Sequence, residues 1–310
     1  MKGRSIWLIG AAAALIVSLA GTVHGSAEAP VRRELVCGAA ASYIRPLGED
    51  GRRESVKPLL FLEDGFYAAL SADGVESCAE GTEDDRLCFI GYDGRLSLLH
   101  SYTPTEPGEG RNAQRLILCM TPCGGDYALI EQINEYWWDD PEEKSGYRYL
   151  TKNYLRIVDA EGTALSSEEL DLSCGFFDPA YLYMRPDGGF IARSADTDWA
   201  FDASGRLEEQ TEGGVRDIAP GAAEDCAGQL FPVRGGGWAA VLYVSGGALC
   251  GVSADDCEEF AAAGLEELGV DPLSVRGADM LRDGTIVCVY DVSCGGRSPC
   301  AVLLLRPEGR

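Results

Sequence analysis

The stretch Met280-Leu281-Arg282-Asp283-Gly284-Thr285-Ile286-Val287-Cys288-Val289-Tyr290 decides the fold. An apolar run breaks at Asp-Gly, and a second apolar run resumes one residue later. Asp-Gly marks a tight reversal because Gly adopts positive φ at no steric cost and the Asp side chain caps the turn. The same break recurs at Asp64-Gly65, Gly124-Gly125, Asp187-Gly188 and Gly235-Gly236. Each is followed by a strand-like run: Phe66 to Leu70, Tyr127 to Ile130, Phe190 to Ala192 and Trp238 to Leu242. A unit of strand and turn that repeats in this way is the mark of a radial β-repeat.

A second turn signal interleaves with the first. It lies at Asp50-Gly51, Asp93-Gly94, Asp159 to Gly162, Asp202 to Gly205 and Glu308-Gly309, with Ser245-Gly246-Gly247 between the last two. Gly51, Gly94, Gly162, Gly205, Gly247 and Gly309 are separated by 43, 68, 43, 42 and 62 residues. The short intervals fit a four-stranded propeller blade of roughly 40–50 residues, and the long ones carry insertions of about 20. Leu59 to Leu62 and Ala301 to Leu305 are apolar at every position, as expected of sheets packed on both faces. The expectation is an all-β propeller of about five to seven four-stranded blades over residues 34–310. The first insertion spans Asn134 to Tyr149. The second is expected to hold one short surface helix, Glu258 to Leu268, stopped by Gly269 and Pro272.

Residues 1–25 read as a secretory signal: Lys2 and Arg4 precede an apolar run from Ile6 to Val23 and the small residue Gly25. An uncleaved anchor is the alternative, and it would be the chain's one membrane contact. Leu19-Ala20-Gly21 resembles a lipoprotein signal, but Thr22 stands where the acylated cysteine would be, so lipidation is not expected. Either way an extracellular or cell-surface location is expected. The formal charge of −24 argues against nucleic acid as a partner and against adhesion to anionic lipid through a basic face. The acidic runs Glu83 to Asp85, Asp139 to Glu143 and Asp255-Asp256 read as solvated loops.

Two histidines are too few for a histidine-built metal site, and His100 has no Gly-x-Ser-x-Gly elbow to serve. Cys119 and Cys123 have three residues between them, against the two of a redox motif. Export would permit local disulfides at Cys78-Cys88, Cys250-Cys257 and Cys294-Cys300. Gly108 to Ala113 matches a dinucleotide pattern but precedes a strand, so it cannot present a helix N-terminus to a phosphate. No cofactor is expected. The candidate ligand-binding residues are Tyr136, Trp137, Trp138, Asp139 and Asp140, an aromatic platform beside carboxylates.

From Phe260 to Leu305 the chain resembles the last blade of a known group. The resemblance is carried by Leu265, Gly269-Val270-Asp271, Leu281-x-Asp283-Gly284-Thr285-Ile286 and Val302 to Leu305. The group is the propeller-like region of secreted or lipid-anchored proteins of gut Firmicutes. That region often precedes an extracellular solute-binding domain of an ABC importer. The chain stops at Arg310, about where such a domain would begin, so its ligand residues do not carry over. The resemblance implies an accessory region at the cell surface. Closure of the ring would then recruit the N-terminal segment near Tyr43-Ile44. The expected function is non-catalytic binding of a ligand or protein partner. The alternatives are a propeller enzyme acting on carbohydrate and a truncated accessory region of a solute-binding protein.

Overall fold

The structure, a computed structural model, describes residues 33–34, 37–43, 53–73, 85–99, 112–140, 145–172, 177–217, 230–292 and 300–307. The signal-like segment, His100, Cys78 and Cys294 lie outside them. Two N-terminal strands, β1 (Arg33–Glu34) and β2 (Cys37–Tyr43), come first. Blade one follows as β3 (Arg53–Phe61), β4 (Gly65–Asp73), β5 (Arg86–Gly91) and β6 (Leu96–Leu98). Blade two is β7 (Asn112–Cys123), β8 (Asp126–Asp140), β9 (Ser145–Val158) and β10 (Ala164–Glu169). Blade three is β11 (Tyr181–Met184), β12 (Phe190–Arg193), β13 (Thr197–Phe201) and β14 (Leu207–Glu212). Blade four is β15 (Leu230–Pro232), β16 (Ala239–Ser245), β17 (Ala248–Ser253) and β18 (Glu259–Gly264). The last series is β19 (Val275–Met280), β20 (Ile286–Asp291) and β21 (Cys300–Pro307).

That series has only three strands of its own, and β2 supplies the fourth. β2 pairs antiparallel with β21, from Cys37 opposite Pro307 to Tyr43 opposite Ala301. The start of the chain therefore completes its last blade, as the sequence led us to expect near Tyr43. β1 adds a short parallel fifth strand to β18, Arg33 opposite Phe260. The result is a five-bladed β-propeller.

Each of the five sequence breaks joins the first strand of a blade to its second. At Asp283-Gly284 the reason is visible. Gly284 has φ 84°, and Asp283 Oδ1 accepts from the Thr285 amide at 2.8 Å. The fully apolar strands are buried on both faces. Along β20, Ile286, Cys288 and Tyr290 pack toward blade four. Val287 and Val289 pack on Val56, Phe66 and Ala68 of blade one. Three further clusters fill the gaps between blades one and two, two and three, and three and four. Five apolar layers between five blades close the ring without a sheet edge in the core.

Three expectations need correction. Glu258 to Leu268 is not a helix: it is β18 followed by a 3₁₀ turn, Glu266–Leu268. Its Ala and Glu content favours helix locally, but Phe260 and Ala262 are buried at every second position. Phe260 also fills the space over Gly251 of β17, where a Cβ would lie 2.3 Å from its Cζ. Pairing with β17 outweighs propensity. Second, Gly246-Gly247 joins β16 to β17, while the other described turns of its supposed class join third to fourth strands. Third, Asp85 is not solvated: it is 6% exposed and accepts from the Ile117 amide at 2.8 Å, linking blades one and two. Among the described residues no helix is long and apolar enough to cross a membrane.

Candidate functional site

The first insertion is an arm. β8 and β9 are 15 and 14 residues long, against four to nine in the described strands of blades one, three, four and five that form their second and third positions. Their pairing runs unbroken from Tyr127 opposite Val158 to Trp138 opposite Tyr147, with Asp140 opposite Ser145 beyond. Residues opposite one another share a face, and successive residues alternate. One face of the arm therefore carries Asn134, Tyr136, Trp138, Tyr147, Tyr149 and Thr151. The other carries Glu135, Trp137, Asp139, Arg148, Leu150 and Lys152.

The five predicted residues are thus divided. Tyr136 is buried, 4% exposed. Trp138 is half-buried and meets Tyr147 edge-on at 5.1 Å between centroids. Tyr147 and Tyr149 are 45% and 58% exposed. The Tyr149 hydroxyl donates to Asn134 Oδ1 at 3.0 Å, which fixes the outer ring against the arm. Trp137 lies on the opposite face with Asp139, and Asp139 Oδ2 accepts from Arg148 Nε at 2.9 Å. Asp139 and Asp140 point to opposite faces, so they do not converge as a pair of acid and base on one substrate.

A second centre lies where the first strands of all five blades meet. Arg234 follows β15, and its side chain reaches across the ring. Its Nη1 donates to the Met120 carbonyl of β7 at 2.9 Å and its Nη2 to the Leu59 carbonyl of β3 at 2.6 Å. The guanidinium lies 5.3 Å from the centroid of Tyr181 on β11. The Arg234 and Gly235 amides donate to Asp279 Oδ1 of β19, at 2.9 and 3.1 Å, and the Met280 amide adds a third bond at 2.8 Å. One residue therefore touches elements of every other blade. Gly235 makes the approach possible, since a Cβ there would sit 2.7 Å from the Met280 carbonyl oxygen.

Asp279 is 1% exposed, and its Oδ2 has no hydrogen-bond partner; Arg234 Nε has none either. Burial raises the Asp279 pKa above the ordinary carboxylate value, with the Arg234 charge and the three amides pulling against it. Burial likewise raises Tyr181 and Tyr183, which keeps both phenols neutral. Sequence reading missed this centre. The one local signal was a lone Asp in the apolar strand Ala278-Asp279-Met280; the rest is assembled from hydrogen-bond partners 45 to 175 positions from Arg234.

Among the described residues, the buried cysteines act as packing groups. Cys119 and Cys288 are fully buried, and burial pushes both thiols up to about 12. Cys257 is a free, exposed thiol, so the structure forms no bond between Cys250 and Cys257. The Cys88 thiol donates to the Ala68 carbonyl at 3.4 Å and Cys300 to Asp291 Oδ1 at 3.2 Å. Their expected partners, Cys78 and Cys294, lie outside the described residues. Among the described residues no group of three or more His, Cys, Asp or Glu side chains is placed to hold a metal ion.

No protein-family model matches the chain, and no curated protein matches it. Solved structures similar to it include a "putative gluconolactonase", at 14% identity and TM-score 0.37, covering 91% of this chain and 99% of that one. Another is a chain of the Mitotic Checkpoint Complex, at 10% identity and TM-score 0.27, covering 87% and 82%. A third is the extracellular domain of a "putative one component system" from B. thetaiotaomicron, at 12% identity and TM-score 0.26, covering 83% and 42%. Likenesses this distant carry no argument about activity, and the fold rests on the strand pairing described above.

Proposed function

We propose that the chain is an exported, non-catalytic propeller that binds a ligand or protein partner at the cell surface through the β8–β9 arm. The observation that carries this reading is the aromatic face of the arm. Trp138, Tyr147 and Tyr149 stand together on a hairpin longer than its blade neighbours, with Tyr147 and Tyr149 open to solvent. Aromatic rings with a fixed polar edge supply contact area at low entropic cost, which suits a sugar face or a partner surface. Export is supported by the charged, apolar and small-residue pattern of residues 1–25. The divergence of Asp139 and Asp140 speaks against hydrolysis at the arm.

The test is a glycan array and an envelope-protein overlay probed with the wild type, Trp138→Ala/Tyr147→Ala, and Trp137→Ala. The first variant should lose binding while its circular dichroism stays that of the wild type. The opposite-face variant should keep it. Equal binding by the wild type and the double variant would remove the arm from the account.

A further inference from the structure

We infer that the outer edge of β9 is a strand-docking site, where an extended, acid-bearing segment of another protein pairs as an added strand of blade two. This rests on the proposed binding role of the arm and names the class of its partner. β8 lines β9 along its whole length, from Val158 to Ser145. On the other side β10 reaches only from Val158 to Tyr154, and one further bond follows, from the Leu170 amide to the Asn153 carbonyl at 2.8 Å. The chain then leaves for blade three, where the Asp171 amide donates to the Gly205 carbonyl at 3.0 Å. Among the described residues no strand takes the place of β10 beyond Asn153. Blade two therefore carries a ladder that is complete near the ring and open along the arm.

The Asn153 carbonyl points to this outer side, and main-chain groups alternate sides along a strand. The pairing of β9 with β8 runs without a bulge here, so the amides and carbonyls of Thr151 and Tyr149 point outward too. An extended peptide is the ligand that answers donors and acceptors at this spacing. The side chains leave the edge clear. The Thr151 and Tyr149 hydroxyls both donate to Asn134 Oδ1 at 3.0 Å. Arg148 is drawn to Asp139 at 2.9 Å and Lys152 to Glu135 at 3.9 Å. All four reach back across β8 and do not fold over the edge, where charged side chains would blunt it. Charge selects the strand. The cations stand on β9 and the acids behind them on β8, so an incoming strand meets Arg148 and Lys152 first. Carboxylates opposite these two, with aromatic or β-branched residues opposite Tyr149 and Leu150, make favourable cross-strand pairs. The outer strands β10 and β14 repel such a segment, since they carry Glu168 and Glu169, and Glu208, Glu209 and Glu212. A second copy of this chain would bring a further charge of −24 against the first, which favours a different protein as the partner.

The experiment is amide hydrogen exchange, read by NMR on the isotope-labelled full chain, with the end-blocked peptide Glu-Thr-Val-Tyr-Glu-Val at millimolar concentration. Antiparallel pairing sets its two Glu residues opposite Lys152 and Arg148 and its Tyr opposite Tyr149. Two methylated forms test the backbone. N-methyl groups on its Thr and Tyr amides face β9 and remove the ladder bonds. N-methyl groups on its first Val and second Glu amides face away and leave them. The plain peptide and the outward-methylated form should slow the Tyr149 and Thr151 amides by about tenfold or more, and the inward-methylated form should not. Thr151→Pro removes one outward amide, keeps Trp138, Tyr147 and Tyr149, and should abolish the slowing at Tyr149. The methylated pair gives its answer on the wild type, whatever the fold of that variant. No slowing with the plain peptide, or equal slowing by both methylated forms, overturns the inference. So does a wild type that sediments as a dimer while Thr151→Pro sediments as a monomer, because the edge then belongs to a second copy. Arm-dependent binding on the glycan array without a peptide response removes the docked strand and leaves the arm reading in place; no response in either assay removes both.

Discussion

Replacing Glu131 by Gln should destabilise the ring more than any surface change. Glu131 lies on β8 between blades one and two, and its side chain is completely buried. Oε1 accepts from Arg115 Nε at 2.7 Å, and Oε2 accepts from Arg156 Nε. The two arginine side chains are themselves only 4% and 9% exposed. Gln preserves shape but removes the charge, leaving two buried guanidinium groups without their common counter-ion. Breaking a buried ion pair from one side costs about 3–5 kcal/mol. Against a total stability of roughly 5–15 kcal/mol, that is a large share. At about 2–4 °C per kcal/mol for a domain of this size or smaller, the midpoint should fall by roughly 6–20 °C. Urea unfolding followed by tryptophan fluorescence, with a parallel thermal scan, measures it. Arg148→Ala serves as the control. It breaks the Asp139 pair, whose side chains are 62% and 48% exposed, and should cost under about 1 kcal/mol. A triple apolar replacement, Arg115→Met/Glu131→Leu/Arg156→Met, should recover part of the loss, because these three buried charges are then removed together. A Glu131→Gln effect no larger than the control would refute the reasoning.

Three further outcomes follow from the geometry. The raised pKa of Asp279 means that the folded chain holds its proton more tightly than the unfolded one. Its contribution is fully present below the ordinary carboxylate value of about 4 and is lost as pH climbs through the raised value. The stability of the wild type relative to Asp279→Asn should therefore decline from acid toward neutral pH in urea titrations; a gap that widens would contradict it. Gly235→Ala should lower the unfolding free energy measured in urea by about 1–3 kcal/mol, because its Cβ would press on the backbone of Met280 and Leu281; a neutral effect would mean the loop can lift off β19. Iodoacetamide should label Cys257 in the native state and reach Cys119 and Cys288 only on unfolding. Protection of Cys257 that a reductant removes would restore its expected pairing with Cys250.

The blade repeat was legible, its count only as about five to seven, because the turn between first and second strands is local chemistry. Asp283-Gly284 needs only a positive φ and a capping carboxylate, and both are written in adjacent letters. Burial on both faces was legible for the same reason, in the unbroken runs Leu59 to Leu62, at the end of β3, and Ala301 to Leu305 of β21. β18 was misread because its Glu and Ala residues have helical preference, while the partner that makes them a strand, β17, follows from three-dimensional pairing. The arm was visible as an aromatic insertion. Which rings face together depended on the register of Trp138 with Tyr147, and no spacing in one strand fixes that. The axial centre was hidden more deeply. Leu59 and Met120 contribute main-chain carbonyls, which carry no residue signature, and Arg234 meets them only once the ring has closed.

Closure by the chain's own start is the claim on which the ring depends. Residue-resolved amide hydrogen exchange over 37–43 tests it most directly. As the outer strand of the last blade, β2 bonds to β21 along one edge only, so alternate amides should exchange slowly and the amides between them fast. Uniformly fast exchange across Cys37 to Tyr43, at the rate of a free chain, would contradict closure and leave the fifth blade a strand short.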